Sequence, residues 1–169
     1  QVAALKEMVE GFRNYARKVS LNLELIDFND LLKEVLHLYE GMDCTFTTNL
    51  SKMSLPVRVD ATSVRQVLHN LLKNATEAAQ ENIHPEINIR TWVKQDKVMV
   101  QIENNGKGFS AHMLQHAFEP YITDKAEGTG LGLAVVKKII DEHGGRVHLA
   151  NCADGEGARV TLILSLVYR

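Results

Sequence analysis

Asn70 and Asn74 stand four residues apart in HNLLKNATEA, residues 69–78, a spacing that projects both carboxamides from one face of a helix. Two amide oxygens one turn apart can serve a hard cation that takes few protein ligands, and their N–H groups can serve phosphate oxygens. The same pair also suits a solvated helix face, and alone it does not decide between the two. A second segment, IENNGKGFS at 102–110, runs an alternating strand into Asn104, Asn105, Gly106, Lys107 and Gly108. A polar side chain at a strand end, followed by glycines that admit a ligand to the backbone, can read the edge of a base. Asn-Gly is equally an ordinary turn. The third segment is EGTGLGL, 127–133, opening the apolar run AVVKKII. Glycines at a helix start expose N–H groups at the positive end of the dipole, which suits a phosphate chain. The dinucleotide fingerprint fails here, because Leu133 holds the sixth position and a charged loop precedes. A P-loop fails as well, since no Gly-Lys-Ser/Thr follows.

Several elements must position these groups. The spacing predicts a long helix over about 61–82, capped by Asp60, with Val64, Val67, Leu68, Leu71, Leu72, Ala75 and Ala78 as its apolar stripe. The two asparagines fall outside that stripe. Alternating segments 86–94 and 97–104 read as a hairpin across Gln95-Asp96 that delivers Asn104 at its end. A helix over 130–143 stops at Gly144-Gly145, and strands 146–152 and 158–167 flank an ADGEG turn. Upstream, an amphipathic helix is predicted over 2–18, a second from Asp27 to about Gly41, and strands at 44–50 and after Pro56. Residues 105–129 form a connection of functional-lid length with a short helix at 111–117. Hairpin-linked strands with interspersed helices predict an α/β fold with a largely antiparallel or mixed sheet covered by helices on one face, not a doubly wound one.

Composition bounds the function classes. The chain has 169 residues, 45% hydrophobic and 24% charged, with three prolines, inside the ordinary globular range. Nineteen Lys and Arg against 21 Asp and Glu give a net charge of −2, so no basic field exists to draw in nucleic acid. Cys44 and Cys152 belong to no CxxC pair and are read as small buried hydrophobes of a protein in a reducing cytosol. No run approaches the roughly 18 apolar residues of a membrane span, and the N-terminus lacks the basic-then-apolar pattern of a signal peptide. It begins inside a helical pattern, which is read as a piece of a longer protein. His112 and His116 have the spacing of a metal pair, but on a short polar helix the solvated reading is favoured.

Taken together, HNLLKNATEA, NNGKGF, FEPY at 118–121 and GTGLGL resemble the asparagine, first glycine, phenylalanine and second glycine boxes of sensor histidine kinases. Their order and spacing fit, and the resemblance covers about residues 27–167. NATEA, FEPYITDK and the upstream MVEGFRNYAR are similar to the nitrogen-regulation type. The resemblance implies a Bergerat-type two-layer α/β sandwich whose loop between the glycine boxes closes over ATP. It implies that residues 1–20 end a dimerisation hairpin and that 21–169 are the ATP-binding catalytic domain. It implies that Asn74 ligates Mg²⁺ and that Asn70 and Lys125 stand by the phosphates as the catalytic pair. Asn104 would then read adenine, with Gly106 and Gly108 shaping its pocket. Tyr121, Gly128, Thr129, Gly130, Leu131 and Gly132 would line the nucleotide. The implied activity passes the γ-phosphate of ATP to a histidine on the dimerisation helix and thence to the receiver domain of a response regulator. The parent protein would be a homodimer through its helical hairpin, with this domain in the cytoplasm and an anchor in the bacterial inner membrane.

Three departures qualify the resemblance. None of the seven histidines has the sequence context of the phosphoacceptor. Asn104 stands where the family carries aspartate, and Ala158 follows Gly157 where many relatives place threonine. Replacing a charged acceptor by a neutral one predicts nucleotide affinity about tenfold lower. A nucleotide-free regulatory or dimerisation module of the same fold is the alternative. The gyrase, mismatch-repair and chaperone branches of the superfamily rank below both, because they place a glutamate where this chain has Asn70.

Overall fold

The computed structural model describes residues 2–16, 20–123, 130–153 and 156–168. Helix α1, Val2–Ala16, leaves Val2, Leu5, Met8, Val9 and Phe12 exposed and turns Tyr15 onto the core. Strand β1, Leu23–Asp27, runs straight into α2, Phe28–Leu36, and Asp27 both ends the strand and caps the helix by accepting the Asn29 N–H at 3.0 Å. The helix stops earlier than its sequence predicts, giving way to a tight turn at His37–Tyr39. Strands β2, Thr45–Asn49, and β3, Pro56–Asp60, follow.

Helix α3, Ala61–Ala79, is the central helix. Asp60 caps it by accepting the Ser63 N–H at 3.0 Å, and a second oxygen accepts the Asn22 N–H. These donors, Ser63 foremost, hold the Asp60 carboxyl below its ordinary pKa. The buried stripe follows the predicted one except at its end, where Ala79 is buried and Ala78 only half-buried. Strands β4, Glu86–Lys94, and β5, Lys97–Asn104, form the predicted hairpin, with Gln95 in the left-handed region at φ 57°. A short helix α4, Ala111–His116, helix α5, Gly132–Glu142, and strands β6, Arg146–Asn151, and β7, Ala158–Ser165, complete the described chain.

The strands form one five-stranded sheet in the order β2-β4-β5-β7-β6, with β2 parallel to β4 and every other pair antiparallel. A separate two-stranded sheet joins β1 to β3. Ile87, Ile89, Val98, Val100, Ile102 and Leu162 alternate onto the sheet face that packs against α3 and α5. Apolar burial at about 25 cal/mol per Å² makes this interface the main stabilising contact between the layers. The expected two-layer α/β architecture, a mixed and mostly antiparallel sheet covered on one face, is the one observed. One element lay outside the sequence reading, and one local expectation changes. The β1–β3 ladder was hidden because LELID is short, carries exposed leucines and abuts a helix cap. Cys44 and Cys152 are half-buried rather than buried, and the Cys152 thiol donates to Glu103 at 3.1 Å.

Candidate functional site

Asn70 and Asn74 face the start of α5. The Asn70 Nδ2 donates to the Gly132 carbonyl at 3.1 Å, which fixes its amide nitrogen on the protein and leaves its oxygen as an acceptor. A Cβ built on Gly132 would sit 3.9 Å from the Asn74 Nδ2, so both asparagines and the first residue of α5 share one locus. The N-cap residue of α5 is Leu131, whose aliphatic side chain makes no cap hydrogen bond, and the first turn of any helix holds N–H groups without intrahelical acceptors. Leu131 itself is buried and anchors this helix start in the interior.

The end of β5 closes the other side. A Cβ on Gly106 would lie 2.3 Å from the Ala78 carbonyl oxygen, so glycine is required for the loop to meet the last turn of α3. The Gly106 N–H donates to the Asn104 Oδ1 at 2.9 Å. Gly108 lies in the left-handed region at φ 87°, and Asn151 clamps the next residue by accepting the Phe109 N–H at 2.7 Å and donating to its carbonyl at 2.9 Å. Asn104 lies opposite Ala158 in the β5–β7 register, and the backbone of Gly157 packs on the Asn104 carbonyl. Asn105 turns away to bind the His84 carbonyl and the Glu86 N–H.

Tyr121 and Gly130 meet across the base of the inter-box segment. The Tyr121 N–H donates to the Gly130 carbonyl at 2.8 Å, and a Cβ on Gly130 would fall 2.3 Å from the Tyr121 carbonyl carbon. Tyr121 also has positive φ, 69°. Of the residues singled out in the sequence, Asn70, Asn74, Gly130, Leu131 and Gly132 converge at α3 and α5. Asn104, Gly106 and Gly108 converge one helical turn further along α3. Lys125, Gly128 and Thr129 lie outside the described residues. Asn151 and the Ala78 backbone were not identified from sequence, because a strand-end asparagine and an alanine carbonyl carry no pattern. The His112 and His116 rings lie with centroids 4.8 Å apart, tilted 39° to each other, and His116 pairs with Glu119. Among the described residues no group of three or more His, Cys, Asp or Glu side chains is placed to hold a metal.

This donor set fits a magnesium nucleotide. Carboxamide oxygens suit a hard cation that retains water, a helix start suits phosphates, and a strand-end amide beside glycines suits a flat base. Residues 59–167 match the histidine kinase-, DNA gyrase B- and HSP90-like ATPase family, and the chain belongs to it. Within that family its relatives are sensor histidine kinases. Over 95% of its length it is 36% identical to sensor histidine kinase ZraS of Escherichia coli O157:H7, covering 35% of that protein. Over 97% of its length it is 32% identical to nitrogen regulation protein NtrY of Azorhizobium caulinodans, covering 22%. The chain therefore spans about a third or less of these relatives. Its structure matches the nucleotide-free catalytic domain of histidine kinase ThkA at TM-score 0.77 and 32% identity, over 86% of this chain and 96% of that one. It also matches ThkA in complex with the response regulator protein TrrA, at TM-score 0.83 and 29% identity, over 98% of this chain and 48% of that one.

Proposed function

We propose that the chain is the nucleotide-binding catalytic domain of a sensor histidine kinase, with ATP as the nucleotide its family implies. Asn74 holds Mg²⁺, Asn70 and the start of α5 hold the phosphates, and Asn104 with Gly106 and Gly108 bounds the base. Mg²⁺ held there would neutralise phosphate charge. The chain's own work is positioning, which is most of what phosphoryl transfer asks of a protein. Lys125, Gly128 and Thr129 would add phosphate contacts from the segment between the glycine boxes. The receiving histidine belongs to a dimerisation helix of the longer protein, and a response-regulator receiver domain takes the phosphoryl group next. Residues 1–20 would be the end of that hairpin, with the exposed face of α1 packing in a homodimeric bundle. No described helix is long and apolar enough to cross a membrane, so an inner-membrane anchor would belong to other parts of the protein.

The observation that carries this reading is the convergence of Asn70 and Asn74 on Gly132 at the start of α5. Calorimetric titration with Mg–ADP, run on this chain and on Asn104→Asp, tests it. The aspartate variant should bind ADP in a Mg²⁺-dependent way and about tenfold or more tightly than the parent. Absence of binding to both at millimolar nucleotide contradicts the reading and favours a regulatory or dimerisation module of the same fold.

A further inference from the structure

Asn104 offers two different limbs from one carbon, an acceptor oxygen and a donor nitrogen. The oxygen is committed, because it accepts the Gly106 N–H at 2.9 Å in the turn that ends β5. Exchanging the limbs would set the Asn104 NH₂ against the Gly106 N–H, two donors face to face, so the turn itself decides the amide's orientation. Among the described residues no protein acceptor meets the Asn104 Nδ2. A carboxylate in this place would keep one oxygen for Gly106 and present the second to the ligand as an acceptor. Asparagine keeps the first function and inverts the second.

We infer that the base subsite of this chain selects a 6-oxopurine, guanine or hypoxanthine, over adenine, through the donor Asn104 Nδ2. The inference rests on the proposed nucleotide site and on Asn104 standing at its base end, and it departs from the ATP that the family implies there. Adenine carries an amino donor at C6, and a 6-oxopurine carries a carbonyl acceptor there. Against Asn104 the amino group meets a second donor, whereas the carbonyl completes a hydrogen bond. The neighbouring strand makes no compensation: Ala158, opposite Asn104 in the register and 4% exposed, has no hydroxyl with which to accept from an amino group. Sites that match donors to acceptors reject the mismatched analogue strongly, because a buried group is left unpaired.

The test is a calorimetric comparison of Mg–ADP, Mg–GDP and Mg–IDP on the parent chain and on Asn104→Asp. The parent should bind IDP at least tenfold more tightly than ADP, and the aspartate variant should reverse that order. IDP isolates the O6 contact, since it lacks the 2-amino group of guanine. Tight IDP with weak GDP still supports the inference, whereas tight GDP with weak IDP overturns it. An aspartate variant that binds ADP beside a parent that is indifferent to the base, or that prefers ADP, overturns the inference and leaves the nucleotide site standing. Failure of both chains to bind any of the three at millimolar concentration overturns both.

Discussion

Gly106→Ala isolates the close approach of the β5 loop to α3. The added Cβ would lie 2.3 Å from the Ala78 carbonyl oxygen and 2.8 Å from its carbon, with the Asn104 Oδ1 at 3.0 Å. An ordinary contact needs about 1 Å more, and the obstructing atoms are helix backbone that no rotamer change can move. Overpacking of this kind costs about 1–3 kcal/mol, and stretching the Gly106 N–H bond to Asn104 adds about 0.5–1.5. The sum, about 1.5–4.5 kcal/mol, lowers the melting temperature by roughly 3–18 °C in a chain of this size. Urea denaturation of the parent and variant measures the first quantity, and Mg–nucleotide titration measures the displaced base end, where affinity should fall tenfold or more. Gly41→Ala is the control. Gly41 has φ 80° but open space around its Cβ, so it should cost only the left-handed penalty of about 1–2 kcal/mol and leave binding unchanged. A Gly106→Ala chain within about 0.5 kcal/mol of the parent, with intact binding, would show that the β5 loop does not depend on its close approach to α3.

Further outcomes are expected at other positions. Asn74→Ala should abolish the Mg²⁺ dependence of nucleotide binding while changing stability by less than about 1 kcal/mol, checked by titration with and without metal. Thr91→Val should cost about 2–4 kcal/mol in urea, because the buried Thr91 hydroxyl donates to the Asn29 Oδ1 at 2.8 Å and accepts the Ser51 N–H at 2.8 Å. Asp60→Ala should cost about 1 kcal/mol near neutral pH by uncapping α3. The Asp60 carboxyl is lowered in the folded chain, so its contribution is complete above the ordinary value of about 3.9 and disappears as pH falls through the lower folded value. The difference between parent and Asp60→Ala urea midpoints should therefore shrink on acidification below about pH 4.

Much of this architecture is readable along the chain because its elements repeat one period. The β4 and β5 boundaries fall where alternation begins and ends, and α3 follows its stripe from Val64 to Ala75. What the sequence left open is tertiary. Ala78 looks like one more stripe residue, yet its carbonyl is a surface against which Gly106 packs, and only the approach of β5 to α3 reveals that. Asn151 and Asn105 carry no pattern either, since their roles come from loops that meet across long sequence separations. The asparagine and glycine boxes were legible as a set, but the commitment of the Asn104 oxygen to Gly106 depends on turn geometry that residue types do not encode.

The proposed site would hold a magnesium nucleotide between α3, the start of α5 and the end of β5. Amide chemical-shift mapping of this chain during titration with Mg²⁺ and a purine nucleoside diphosphate, GDP beside ADP, tests it most directly. Shifts should concentrate at residues 70–78, 104–109 and 130–133. None should appear on the outer face of the sheet at Thr47, Arg90 and Gln101. No shifts at millimolar nucleotide, or shifts centred on that outer face, would contradict the proposed site.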